Sequence, residues 1–445
     1  MAVRWLVGGG NGNWNSTTNW SATNGGGAGA SFPVAGDTAN LNSAANIAIN
    51  VGSACAVLDC TGYSGTLSGG GAMTTTGNVT GGGTWTQTGQ WNFNGTGVQV
   101  ITMNGKAFGG GVQQNGVGGT VRLADAFQAA VNYTLTNGTL DCATFNPTVR
   151  VRNFALGVGT KSLQQGNSQW TLTMSVAGQG WDTTTNALNF TKTTGGASKL
   201  TFTGGAGVQV NMFCGASQTF DDVAVTGGTG LFFLSANNGF FRDILVSNAA
   251  GGAFTLANGT YRNLDFTGFT STLNQTLGWS VTGNITLVST MTVNSTSSIS
   301  MRGTTGTQNV TTAGVSVTFE LDVFNASGTG NVVNLLDAYS STRRVRLRDN
   351  GAGIVAKAGT TNTCSLFDAV GIVGNLCPFK SDTPGSPTTW SIAQGDQRCT
   401  GLDVTDVHVT GGGRWWAGRI ANDNGGNAGW RFTDWALRGL ARFVA

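Results

Sequence analysis

The sequence predicts an all-β chain wound as a parallel β-helix: a right-handed solenoid with capped ends and a short C-terminal helix. Three observations carry that expectation. Composition comes first. Of 445 residues 72 are glycine, only 5 are proline and 10% are charged, yet 13 tryptophans and 23 phenylalanines need burial. Disordered chains pair high net charge with few aromatics, and here the net charge is only +3. An apolar share of 39% fills a narrow core, while threonine, serine and asparagine suit the outer side of stacked strands.

Alternation is the second observation. "YTLTNGTLD" (133–141) alternates apolar and polar residues, turns on Asn-Gly, and alternates again, as two half-buried strands would. Third, long segments recur. Residues 91–127, 200–237 and 299–339 share a strand, a glycine turn, a G-x-Q-V-like strand, an aromatic (Phe108, Phe220, Phe319), a valine strand and a final turn. "YTLTNGTLDCATF" (133–145) matches "FTLANGTYRNLDF" (254–266), and "GNVT" at 77 matches "GNIT" at 283. At roughly 20 to 25 residues per turn and about 4.8 Å between strands, the column would extend on the order of 80 to 100 Å. The competing architecture is a row of tandem β-sandwich domains, against which stands the absence of any linker of distinct composition.

The segments then follow. Residues 1–45 form an N-terminal cap with Trp14 and Trp20 as anchors, and 46–351 the solenoid, with repeats near 77–165, 187–270 and 283–351. Residues 352–400 hold three prolines and three cysteines and read as a loop-bearing or inserted unit. Residues 401–434 form the C-terminal cap. The last stretch, 435–445, reads as a helix with Thr433 or Asp434 as N-cap, Leu437, Leu440 and Val444 on one face, and Arg438 and Arg442 on another. That face would close the column or touch a neighbouring subunit.

Candidate sites are few. "GGGRWWAGRIANDNGGNAGWRFT" at 411–433 brings Trp415, Trp416 and Trp430 to the end of the repeats. They read either as a plug over the last apolar layer or as an aromatic platform for sugar or protein. "RRVRLR" (343–348) aligns Arg344, Arg346 and Arg348 on one strand face, as a solvated basic ladder or as a contact for another subunit or a polyanion. Glycoside hydrolysis needs two carboxylates about 5 to 10 Å apart. With one glutamate, Glu320, and nineteen aspartates, the repeat-equivalent acids Asp221, Asp222, Glu320 and Asp322 read as turn or surface residues. The single histidine, His408, with Asp403, Asp406 and Asp423 around it, forms neither a zinc nor an EF-hand pattern. No catalytic residue, cofactor or metal is expected. The seven cysteines share no ligand spacing and read as buried thiols, with pairing among Cys364, Cys377 and Cys399 as the alternative. Spread-out basic residues argue against nucleic acid, and no run approaches the roughly 18 apolar residues of a membrane span.

The N-terminal "GNGNWNSTTNW" (10–20), the "LTxTxGTLD"-type repeats and the terminal "LDVTDVHVTGGGRWWAGRIANDNGGNAGWRFT" (402–433) together resemble bacteriophage virion proteins of β-helical repeat type, over residues 4 to 433. The resemblance implies a virion component; together with the lack of a catalytic constellation it reads as a non-enzymatic structural protein, located in the virion and made in the host cytoplasm. As such it would be a tail-associated fibre, spike or projecting decoration, self-assembled with a trimer favoured and contacting other virion proteins. It transfers no catalytic residues. The alternatives are a receptor-binding fibre that recognises host surface glycan and, further off, a polysaccharide depolymerase.

Overall fold

Period-two alternation decides which side chains turn inward. In Thr120–Leu123 and Asn132–Leu135 every second residue is buried, and the same pattern recurs from strand to strand. The protein, described as a computed structural model, comprises residues 1–7, 12–175, 178–205, 207–215, 218–227, 232–235, 239–247, 252–304, 307–325 and 330–433. It is all-β and forms a parallel β-solenoid of about 17 turns. The only helical piece among the described residues is a 3-10 turn at Thr17–Asn19. The expected terminal helix, with Arg438 and Arg442, lies outside the described residues. The chain divides into two compact units, residues 1–226 and 227–445, a division that falls inside the second long repeat.

In the first unit each turn supplies one strand to each of three faces. Met73 pairs with Trp91 and, at the widest past the N-terminal segment, Gly178 with Val210, so a turn takes 18 to 32 residues. Nearly all pairings are parallel; at the N-terminus Val3–Leu6 pairs antiparallel with Trp20–Ser21 and parallel with Thr38–Asn40. The halves of "YTLTNGTLD" do not form a hairpin. Asn132–Leu135 lies on the third face and Gly138–Asp141 on the first, each pairing with the turns before and after it. The Asn-Gly step is therefore a corner. Gly138 has φ +81°, and a Cβ there would sit 2.3 Å from the Gly119 carbonyl oxygen, so only glycine fits.

Register turns the alternation into columns. Met73, Trp91, Val112, Tyr133, Phe154, Trp181 and Met212 stack in line on the third face, all buried. A file of rings runs through this core from Trp85 to Phe220, with neighbouring centroids 4.5 to 6.2 Å apart. The second unit repeats the design with turns of 20 to 24 residues along Tyr261, Val281, Met301, Val323, Leu347 and Ala369. The stretch 352–400 continues these rungs through Gly353–Ala356, Leu366–Ala369, Cys377–Ser381 and Thr388–Ile392. Its peculiarity is two long corners, 370–376 and 382–387.

Polar groups join successive turns. Gln99 accepts from the Gly95 N–H and donates to the Thr75 and Gly77 carbonyls. Gln308 repeats this with Gly303, Val281 and Gly283, which explains why glutamine recurs in those repeats. Aspartates act alike: Asp125 accepts the Met103 and Asn104 N–H groups, Asp382 that of Ala358 and Asp406 that of Gly385.

Two outcomes follow. Phe154→Ala, which removes a fully buried ring stacked 4.5 Å from Trp181, should cost about 3 to 5 kcal/mol in urea unfolding. Phe145→Ala, at a ring 54% exposed, should stay within about 0.5 kcal/mol. The second concerns acid. The Ala2 N–H holds the Asp37 carboxyl below its usual range. Burial pushes Asp141 and Asp182 up, but hydrogen bonds from Thr144 and Arg122, and from Thr184 and Thr185, outweigh it and leave both depressed. Carboxyls depressed in the folded state stabilise above their unfolded pKa, and that stability is lost as pH falls through the folded value. The melting temperature should therefore fall once pH drops below about 4, and the Asp141→Asn variant should lose less over that range.

Candidate functional site

The Arg344–Leu347 strand shows how register settles the charges. On the first face of the second unit Ser300, Asp322, Arg346 and Asp368 stack outward in line. Arg346 grips Asp322 through two nitrogens, Nε–Oδ1 2.7 Å and Nη2–Oδ2 3.1 Å, and reaches Glu320 at 3.0 Å. Arg348 meets the same Asp322 at 3.3 Å, and Arg344 meets Asp368 at 3.5 Å. Each arginine of the stripe therefore has a carboxylate partner, and the stripe is an alternation of signs rather than a basic ladder.

The acids expected in turns or on the surface lie in strands. Asp322 is 2% exposed and Asp221 6%. Asp221 accepts the Ser198 N–H and hydroxyl and the Thr194 hydroxyl at 2.8 to 3.0 Å. Sequence reading missed this because the partners sit a full turn away.

At the C-terminal end, Trp415 is 2% exposed, Trp416 4%, and Trp430 half-buried. Trp430 lies in register on Trp415, their centroids 5.3 Å apart, and meets Phe379 at 5.9 Å. Its indole N–H donates to the Val407 carbonyl at 3.0 Å, and the Arg431 guanidinium lies 5.1 Å over Trp416. With Phe367 and Trp390, Trp415 fills the interior, whereas Trp416, next to it on the strand and in register with Arg398 and Arg431, is buried on the other side. His408 sits half-buried in register with Thr389.

All seven cysteines are buried free thiols, Cys364, Cys377 and Cys399 included. Burial pushes them up, Cys377 to about 11 and Cys364 to about 12, which keeps them protonated and unreactive at neutral pH. Among the described residues no group of three or more His, Cys, Asp or Glu side chains could hold a metal.

Concave surface appears where corners project. In the second unit one hollow of about 490 Å³ lies beside Val373, Leu376, Asp403, Ile420 and Asn422. Another, of about 530 Å³, lies beside Leu336, Val355, Lys380, Pro384 and Thr405. None of these but Asp403 stood out in the sequence; the signal was the proline-bearing corner and the spacing of Val355, Lys380 and Thr405 by about one turn.

Comparison with family models, with characterised proteins and with solved structures finds no match. Arg346→Ala leaves the buried Asp322 short of its main partner and should cost about 1 to 3 kcal/mol. The more open, longer pair at Arg344 should be worth less than about 1 kcal/mol, a contrast read from the urea midpoints of the two variants.

Proposed function

We propose that the chain is a non-enzymatic structural component of a bacteriophage virion, a tail-associated fibre, spike or projecting decoration. It would assemble with copies of itself, a trimer favoured, and with other virion proteins. One observation supports this most: within each unit parallel rungs follow one another in register, a construction suited to a stiff, protease-resistant spacer. The terminal motifs supply the virion assignment by resemblance. The acids nearest to a catalytic pairing favour the non-enzymatic reading, since Asp221 accepts backbone and hydroxyl hydrogens and Asp322 and Glu320 hold arginine. Trp415, Trp416 and Trp430 would then serve as the plug that covers the last apolar layer.

Mass spectrometry of purified virions, combined with electron microscopy, tests the assignment. A fixed copy number and density on the particle exterior are expected; absence from the particle would overturn it. Incubation with capsular or O-antigen polysaccharide should release no new reducing ends, and release would replace the structural reading with a depolymerase.

A further inference from the structure

We propose that the second unit carries a binding trough for a neutral polysaccharide, lying on its second face between the corners 370–376 and 382–387. The floor is fixed by register. Asn334, Val355, Lys380 and Thr405 form one outward column, and Pro378, Asp403 and Asn422 the column beside it. The two hollows meet on the strand Leu402–Thr405, with Asp403 in one and Thr405 in the other. Two residues apart along a strand is about 7 Å, so the hollows form one depression across the face. An elongated ligand running from rung to rung fits it better than a compact one.

The lining decides the class of ligand. Val373 is 78% exposed and Leu336 45%, and with Ile420 and Pro384 they give the walls apolar surface for the C–H faces of sugar rings. Between them stand hydroxyl, amide, carboxylate and ammonium groups that can bind sugar hydroxyls. Lys380 is exposed and has no hydrogen-bond or ion-pair partner among the described residues. Three carboxylates (Asp382, Asp403, Asp406) line the hollows against that one ammonium, which disfavours a polyanion and, among glycans, leaves the neutral ones. The carboxylates are also engaged: Asp403 accepts from Asn422 and Asn424 at 3.2 and 2.8 Å, Asp382 from Ala358 and Asp406 from Gly385. They are set to bind rather than to cleave. The trough is a recognition site in addition to the structural role, and stands or falls separately from it.

The test uses the full-length protein in calorimetry and affinity electrophoresis against maltohexaose, cellohexaose, chitohexaose, dextran and purified neutral O-polysaccharides, with hyaluronan and heparin fragments as the acidic arm. At least one neutral glycan should bind with a Kd at or below about 1 mM. Thr405→Trp, which fills the floor, should weaken binding at least tenfold, while Thr201→Trp, at an outward position in the first unit, should not. Should Thr405→Trp fail to fold, Lys380→Ala, at an exposed side chain, should weaken binding severalfold. No neutral binder, binding indifferent to these trough variants, or binding of the acidic fragments alone would overturn the proposal.

Discussion

Parallel register between successive turns is the constraint on which everything else in this protein depends. A strand of the solenoid cannot satisfy its N–H and C=O groups within its own turn; the partners lie about 20 residues earlier and later. Once that register is set, each side chain sits above its equivalent in the previous turn. The column from Met73 to Met212 is the result: large apolar residues stack because every member of an inward column shares the same environment. Gln99 and Gln308 enter the interior with hydrogen bonds that join two turns apiece.

Outside, the same register sorts the charges. Arginine at 344, 346 and 348 faces acids one turn before or after, so a run that is strongly basic along the chain is neutral across the sheet. Aspartate is used in the same spirit, as a fastener between turns. This leaves the rungs little freedom to acquire new chemistry. Variation belongs to the corners, where chain length can change without disturbing the ladder. In the second unit the wide corners between 370 and 387 border the two hollows.

Much of the fold was legible because alternation and repetition are direct images of the pleat and the turn. The all-β class, the parallel solenoid and the burial of Phe108, Phe220 and Phe319 follow from them. Features that depend on the length of each turn were not legible. Asn137-Gly138 looks like a hairpin turn, and only the pairing of its flanking strands with other turns shows a corner. Asp221 looks like a surface acid, and its partners Ser198 and Thr194 stand 23 and 27 residues away. The floor of the trough is assembled from one or two residues per rung, so no contiguous motif marks it. Trp415, Trp416 and Trp430 were visible as an unusual cluster, but the packing of Trp415 and Trp430 depends on Phe367 and Phe379 from earlier turns.

The in-register stacking can be measured without reference to any function. Thr74, Asn92, Gln113, Thr134 and Ala155 form one outward column, so residues 74 and 155 are four rungs apart. Nitroxides on cysteines placed at these two positions, with the native thiols shielded by burial, report their separation by double electron–electron resonance. At about 4.8 Å per rung the account predicts a narrow distribution centred on about 19 Å between the backbone sites, widened only by the label arms. A distance beyond about 40 Å, or a broad distribution, would contradict the solenoid and favour separate domains.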